Sequence, residues 1–196
     1  MKVEAVILEG EFVRLEPLSV EHVDALAEFA FGESLWQWTA NVVTVRADLV
    51  RYVEIALKDR ETGVALPFVT REKSSDKIVG STRFGNIDPK NRKVEIGWTW
   101  IAPEWQRTHI NTEAKLLMLT HAFEAWNCVR VELKTDALNE KSRKAILRIG
   151  AKEEGILRHH MITDTGRLRD TVFFSIIEEE WETVKQNLTG MIRSNT

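Results

Sequence analysis

The chain has 196 residues, 43% hydrophobic and 29% charged, which suits one globular domain with a substantial core. A formal net charge of -3 at pH 7 gives no general attraction to nucleic acid or anionic membranes, and neither is expected as a partner. No apolar run approaches the length of a membrane span, residues 1–10 are charged too early and too often for a signal peptide, and the lone Cys128 excludes an internal disulfide, so a cytoplasmic protein is expected.

In chain order, Phe12 to Pro17 alternates into an opening strand that ends at the proline. Ser19 caps a predicted helix whose apolar positions Val23, Leu26, Ala27 and Ala30 recur at three and four, ending near Gly32. Leu35-Trp36-Gln37-Trp38 then forms an aromatic connection, either packed in the core or walling a pocket. A second helix is predicted from Arg46 to Arg60, burying Leu49, Val50, Val53, Ile55 and Leu57. The pattern changes to a meander of antiparallel strands over Leu66 to Arg71, Ile78 to Ile87 and Lys93 to Ile101, the last alternating Val94, Ile96, Trp98 and Trp100 against Glu95, Gly97, Thr99 and Ile101.

Pro103 stops that strand, a short loop follows, and a helix carries Leu116, Leu117, Leu119, Phe123 and Trp126. A helix that opens from a loop leaves backbone N–H groups without intrahelical acceptors, and its dipole favours an anion there. Val129 to Thr135 is the next strand, parallel to its predecessor through the helical crossover. A helix over Glu140 to Arg148 and a hairpin of Ile156 to Met161 with Leu168 to Ile177 complete the pattern. The tail keeps a helical spacing in Trp181, Val184 and Leu188 and is expected to fray after Gly190. His121, His159 and His160 have no cysteine or carboxylate at ligand spacing, so no metal is expected.

Three segments carry a resemblance. Gln106-Arg107-Thr108-His109-Ile110-Asn111-Thr112 resembles the coenzyme A pyrophosphate loop of GCN5-related N-acetyltransferases, with His109 and Asn111 standing where that pattern has Gly and Gly or Ala. Asn139-Glu140-Lys141-Ser142, with Gly150 to Gly155, resembles the family's second segment, and Val94 to Trp98 its fourth strand. Together they run from about Gly10 to Ile177 and look most like the branch that acetylates ribosomal-protein N-termini.

The resemblance implies an α/β (α+β) fold: a mixed, mostly antiparallel sheet of about seven strands, about four helices on its faces, and a parallel pair splayed at the cofactor site. It implies one N-acetyltransferase domain over residues 1–196, with a core of about 10–177 and a tail of 178–196. A bulge near Trp98 to Ile101 would open the splay; Gly97 suits it but is equally compatible with close packing.

The implied co-substrate is acetyl-CoA. Its pyrophosphate would take the loop from Gln106 through Thr108, His109, Ile110 and Asn111 to Thr112, with Arg107 adding charge, and its pantetheine would meet Trp100 and Ile101 backbone and Asn139. Lys141, Arg143 and Lys144 are either a seat for the 3′-phosphate or a solvated face. Glu95 is the candidate general base, or else a plain strand-face charge. Ser142 is either the proton donor to the leaving thiol or a first-turn residue capping backbone. Trp36, Trp38 and Glu95 would contact the acceptor, a primary amine on a protein or small molecule. Tyr52, the one tyrosine, lies in the second helix and is not expected to serve as the acid. A competing reading is a non-catalytic acyl-CoA-binding or regulatory module, suggested by the two missing glycines. The oligomeric state stays open, a homodimer among the options.

Overall fold

The computed structural model describes residues 1–194. Eight strands form one sheet: β1 (Leu8–Glu9), β2 (Val13–Pro17), β3 (Leu66–Glu72), β4 (Lys77–Asp88), β5 (Lys93–Ile101), β6 (Arg130–Asp136), β7 (Lys152–Ile162) and β8 (Leu168–Ile177). Their order across the sheet is β1-β2-β3-β4-β5-β6-β8-β7, and every neighbouring pair is antiparallel except β5 with β6. Six α-helices join them: α1 (Val23–Ala27), α2 (Glu33–Trp36), α3 (Arg46–Glu61), α4 (His109–Thr120), α5 (Glu140–Arg148) and α6 (Trp181–Arg193). The pieces beyond the expected count are two-residue β1, four-residue α2 and a full C-terminal α6.

Two apolar clusters sandwich the sheet. One gathers Phe68, Phe84, Ile96, Leu133 and Phe174 of the sheet with Met118 and Leu119 of α4 and Leu188 of α6. The other gathers Leu26, Trp36, Leu49, Tyr52 and Val53 against Val69, Ile78 and Trp100. So α4 and α6 cover one face, while α1 to α3 cover the β3 to β5 half of the other.

The expected fraying after Gly190 is not seen: Ile192 is buried a turn beyond Leu188, which holds α6 together through Arg193. Residues 195–196 lie outside the described residues. The buried stripe of α3 is Leu49, Tyr52, Val53 and Ala56, whereas Ile55 is 49% exposed and Val50 and Leu57 only half-buried. A 3.6-residue period selects that stripe; reading Ile55 into it follows hydrophobicity instead of phase.

The N-terminal turn is clasped to α4. Glu113, buried in the first turns of that helix, accepts from the N–H groups of Glu11, Phe12 and Val13 at 2.7–2.8 Å. One carboxylate thereby satisfies three main-chain donors at the start of β2.

Candidate active site

β5 and β6 pair only at Lys93 with Arg130, Val94 with Val131 and Glu95 with Glu132. Beyond Glu95 they part, β5 staying on β4 to Ile101 and β6 on β8 to Asp136. The cause lies in β5. Between the pairs Arg83–Gly97 and Ser81–Trp100, the single residue Thr82 stands opposite both Trp98 and Thr99, and Trp98 has a φ of 49°. An extra residue bends and twists its strand away from the regular ladder.

The bulge also swaps the strand's faces. Val94 and Ile96 before it and Ile101 after it lie in the α4-side core, while Trp100 lies in the other. Unbroken alternation of Val94, Ile96, Trp98 and Trp100 on one side therefore fails after Gly97. The Trp98 ring lies over Gly85 of β4, where an added Cβ would come within 2.3 Å of its Cζ3.

At the open end of the parted strands, the loop leads into α4. Thr108 is the N-cap: its Oγ1 accepts from Ile110 N at 3.3 Å and donates to Trp105 O at 2.7 Å. His109 is the first helical residue and its ring packs on Phe12 at 4.0 Å. The left-handed residue in the loop is Arg107, φ 64°, not His109 or Asn111. Ile110 and Thr112 are buried, Thr112 Oγ1 accepting from Arg148, and the Asn111 Oδ1 is buried without a partner. Gln106 bridges the two arms: its Nε2 donates to Ile101 O at 2.8 Å, and its Oε1 accepts from Lys141 at the start of α5. Asn139 caps α5 by accepting from Ser142 N at 3.0 Å. The capping side chain is thus Asn139, and Ser142 is half-buried in the first turn.

Glu95 sits where the strands begin to part and is 3% exposed. Its Oε2 accepts from Asn86 Nδ2 at 2.7 Å and pairs with Lys134 Nζ of β6 at 2.9 Å, while Oε1 is turned to Gly97. The Lys134 ammonium also lies 5.8 Å from the Trp98 ring centroid and 6.0 Å from that of Phe173. Nearby, His160 bonds Thr171 Oγ1 at 3.1 Å. Burial first, then Lys134 and Arg169, lower its pKa from the ordinary 6.5, with Glu95 opposing.

A small cleft opens on this face between α3, β5 and the β7–β8 turn, about 80 Å³ in volume. Its walls include Tyr52, Arg83, Trp98 and Asp164. Arg83, 3% exposed, is sandwiched between the Tyr52 and Trp98 rings at 5.1 and 4.9 Å, with Asp59 at 3.5 Å. Tyr52 Oη donates to Trp98 O at 3.2 Å, which brings the one tyrosine to the bulge. Sequence reasoning set Tyr52 aside for its place in the second helix, yet its three- and four-residue spacing from Leu49 and Ala56 already put it on the sheet-facing side. Asp164 of the β7–β8 turn holds the far wall, its N donating to Ala40 O and its Oδ2 accepting from Val42 N.

The two tryptophans part company. Trp36 is 4% exposed, donates to Ala30 O at 2.6 Å and packs on Tyr52 and Trp100, so it is a core ring supporting the cleft from behind. Trp38 is half-buried under the Arg167 guanidinium at 5.5 Å. Trp100 is buried in the same core as Trp36, and its Nε1 has no partner.

A mostly antiparallel sheet split at one parallel pair, with a helix N-terminus following the bulged strand, defines an acetyltransferase domain. The chain belongs to the GNAT acetyltransferase family: residues 13–152 match the model of the acetyltransferase (GNAT) domain. YdaF of Bacillus subtilis 168, named provisionally as a ribosomal N-acetyltransferase, is 39% identical over 105 residues, which are 54% of this chain and 56% of that protein. A GCN5-related N-acetyltransferase from Brucella melitensis superposes with a TM-score of 0.88 at 33% identity, over 96% of this chain and 86% of that one. RimJ of Mycobacterium smegmatis, solved with CoA-disulfide, shares the fold with a TM-score of 0.79 at 23% identity over 95% and 92%.

Proposed function

We propose that the chain transfers an acetyl group from acetyl-CoA to a primary amine by direct attack in a ternary complex, with a protein N-terminus as the favoured acceptor and a small-molecule amine as the other. The observation that carries this reading is the parting of β5 and β6 after Glu95 beside the N-terminus of α4. Parted strands offer unpaired main chain to an extended arm, and a helix start offers N–H groups and a partial positive charge to a pyrophosphate. Arg107 fits such a ligand, exposed at the loop beside the N-terminus of α4.

In this reading the first-turn N–H groups of α4, with Arg107, hold the pyrophosphate, and Gln106 and Asn139 flank the arm. Acetyl-CoA supplies an acyl group already activated as a thioester. Glu95 Oε1 takes the proton of the incoming amine, directly or through one water, while Asn86 and Lys134 hold Oε2 in place. Ser142 stands on α5 as the candidate proton donor to the leaving thiol, and main-chain N–H of Trp100 or Ile101 as the candidate oxyanion donor. Tyr52, Arg83 and Trp98 wall the acceptor side. The preference for a protein acceptor is supported by the name of YdaF as a ribosomal N-acetyltransferase, and that for its N-terminus by the resemblance to the branch that acetylates ribosomal-protein N-termini. The reading as a non-catalytic module is the less favoured alternative: helical backbone at His109 does not call for the positive φ of a glycine.

Calorimetric titration with CoA and acetyl-CoA, followed by mass spectrometry of N-terminal peptides and small amines incubated with acetyl-CoA, tests the proposal. Saturable binding and a single acetyl group on an acceptor amine support it. No binding up to millimolar acetyl-CoA would overturn it.

A further inference from the structure

Lys115, in the second turn of α4, is 5% exposed and has no carboxylate partner among the described residues. A buried ammonium normally requires one. Its Nζ lies 2.7 Å from Thr99 Oγ1 and 3.4 Å from Thr82 Oγ1, and these two hydroxyls are 2.8 Å apart. Thr99 and Thr82 are the residues at which the bulge of β5 faces β4. The lysine therefore stands behind the irregularity that parts the two strands, and it touches the parted arm through one hydroxyl.

The charged groups on the elements around it are engaged elsewhere. Arg83 of β4 and Glu95 of β5 occupy the opposite face of the sheet with Asp59 and Lys134. Glu113 of its own helix clasps the N-terminal turn, Arg148 of α5 bonds Thr112, and Glu124 pairs with Lys185 of α6. Burial alone brings the Lys115 pKa down from 10.5 to about 7. Its charge thus changes within the ordinary working range of pH, cationic below and neutral above.

We propose that Lys115 is a positioning residue for the acyl-donor site, its ammonium fixing Thr99 in the bulge and placing a positive charge behind the arm on which the thioester would lie. This inference rests on the acetyltransferase reading above. A fixed positive charge in a water-poor site favours negative charge developing on the acyl oxygen or the leaving sulfur, and needs no proton transfer to do so. The cationic form is the active one, so turnover declines as pH rises through the titration of Lys115.

The test has two arms. NMR titration of the lysine side chains, with Lys115→Met to assign the signal, should show one ammonium titrating near neutrality; a Lys115 side chain that is already neutral throughout pH 6 to 9 would overturn the proposal. Kinetics then compare wild type with Lys115→Met, Lys115→Arg and Thr99→Val across pH 6 to 9. Lys115→Met should lower kcat roughly tenfold or more with little change in KM for acetyl-CoA, and its alkaline decline should vanish. Lys115→Arg should stay charged and flat, and Thr99→Val should lower kcat with Lys115 still present. Unchanged kcat and an unchanged alkaline limb in folded Lys115→Met and Thr99→Val would sink the inference. A wild-type protein that neither binds CoA nor transfers acetyl would instead sink the parent reading.

Discussion

The Lys134 ammonium of β6 and the Glu95 carboxylate of β5 meet at 2.9 Å across the last point at which their strands still run side by side. The pair closes the narrow end of the gap. Both its members are largely shielded from water, so removing one leaves the other without its charge partner.

Glu95→Gln keeps the shape and removes the charge. Acetyl transfer should fall by about 10²–10⁴-fold, the range for a lost general base, while CoA affinity stays within about twofold. Steady-state kinetics and calorimetry on the same preparation check both halves. Wild-type turnover in the variant would take Glu95 out of the mechanism. Lys134→Met should cost about 3 kcal/mol in urea unfolding, since it strands a buried carboxylate.

Gly85→Ala places a methyl where the Trp98 ring lies. The ring must move, and with it the stack of Trp98, Arg83 and Tyr52. Overpacking of this kind costs about 1–3 kcal/mol. The acceptor KM should rise while CoA binding is kept, because the disturbed wall belongs to the cleft proposed for the acceptor. Loss of CoA binding instead would place that wall on the donor side.

At the loop proposed for the pyrophosphate, backbone conformation sets the expected effects. Arg107→Gly relieves a left-handed non-glycine residue, which is worth about 1 kcal/mol in stability, but removes a cation and should weaken CoA binding. His109→Gly should destabilise α4 by about 1 kcal/mol and lose the contact with Phe12 without improving CoA affinity. Thermal melts and calorimetry separate the two effects. Tighter CoA binding in His109→Gly would show that the histidine obstructs the site.

Glu72 makes stability depend on pH. Burial pushes its carboxyl up, but bonds from Ser74 and Ser75 together prevail and bring it from 4.5 to about 2. The folded value is the lower one, so the contribution is whole above about pH 4.5 and is lost as pH falls toward 2, up to about 3 kcal/mol. Urea midpoints between pH 2 and 6 should decline less steeply in Glu72→Gln than in wild type.

Much of the frame was legible where period and punctuation agreed. β5, α5 and β8 begin and end where Lys93 to Ile101, Glu140 to Arg148 and Leu168 to Ile177 predict them. β7 was seen only from Ile156, because as an edge strand exposed along nearly its whole length it has no buried face to impose alternation on Lys152, Glu153 and Glu154. In the candidate site, the parted pair and its bulge were expected from resemblance alone. The swap of faces at Trp98 was not, since a straight period of two cannot register an inserted residue. Lys115 was overlooked although it lies three, four and seven residues from Met118, Leu119 and Ala122 on the buried stripe of α4. Tyr52 was set aside for its place in the second helix, yet its hydroxyl reaches Trp98 O at the bulge of β5.

The Glu113 clasp joins N–H groups to a carboxylate that follows them by 100 to 102 residues. At synthesis rates of about 5–20 residues per second, those three donors are made roughly 5 to 20 seconds before their acceptor. These three donors therefore lack their carboxylate acceptor until α4 is made, although β2 can already pair with β3. A chain stalled short of α4 lacks both the clasp on its N-terminal turn and the helix start beside the parted strands, and the same few residues of further synthesis supply both.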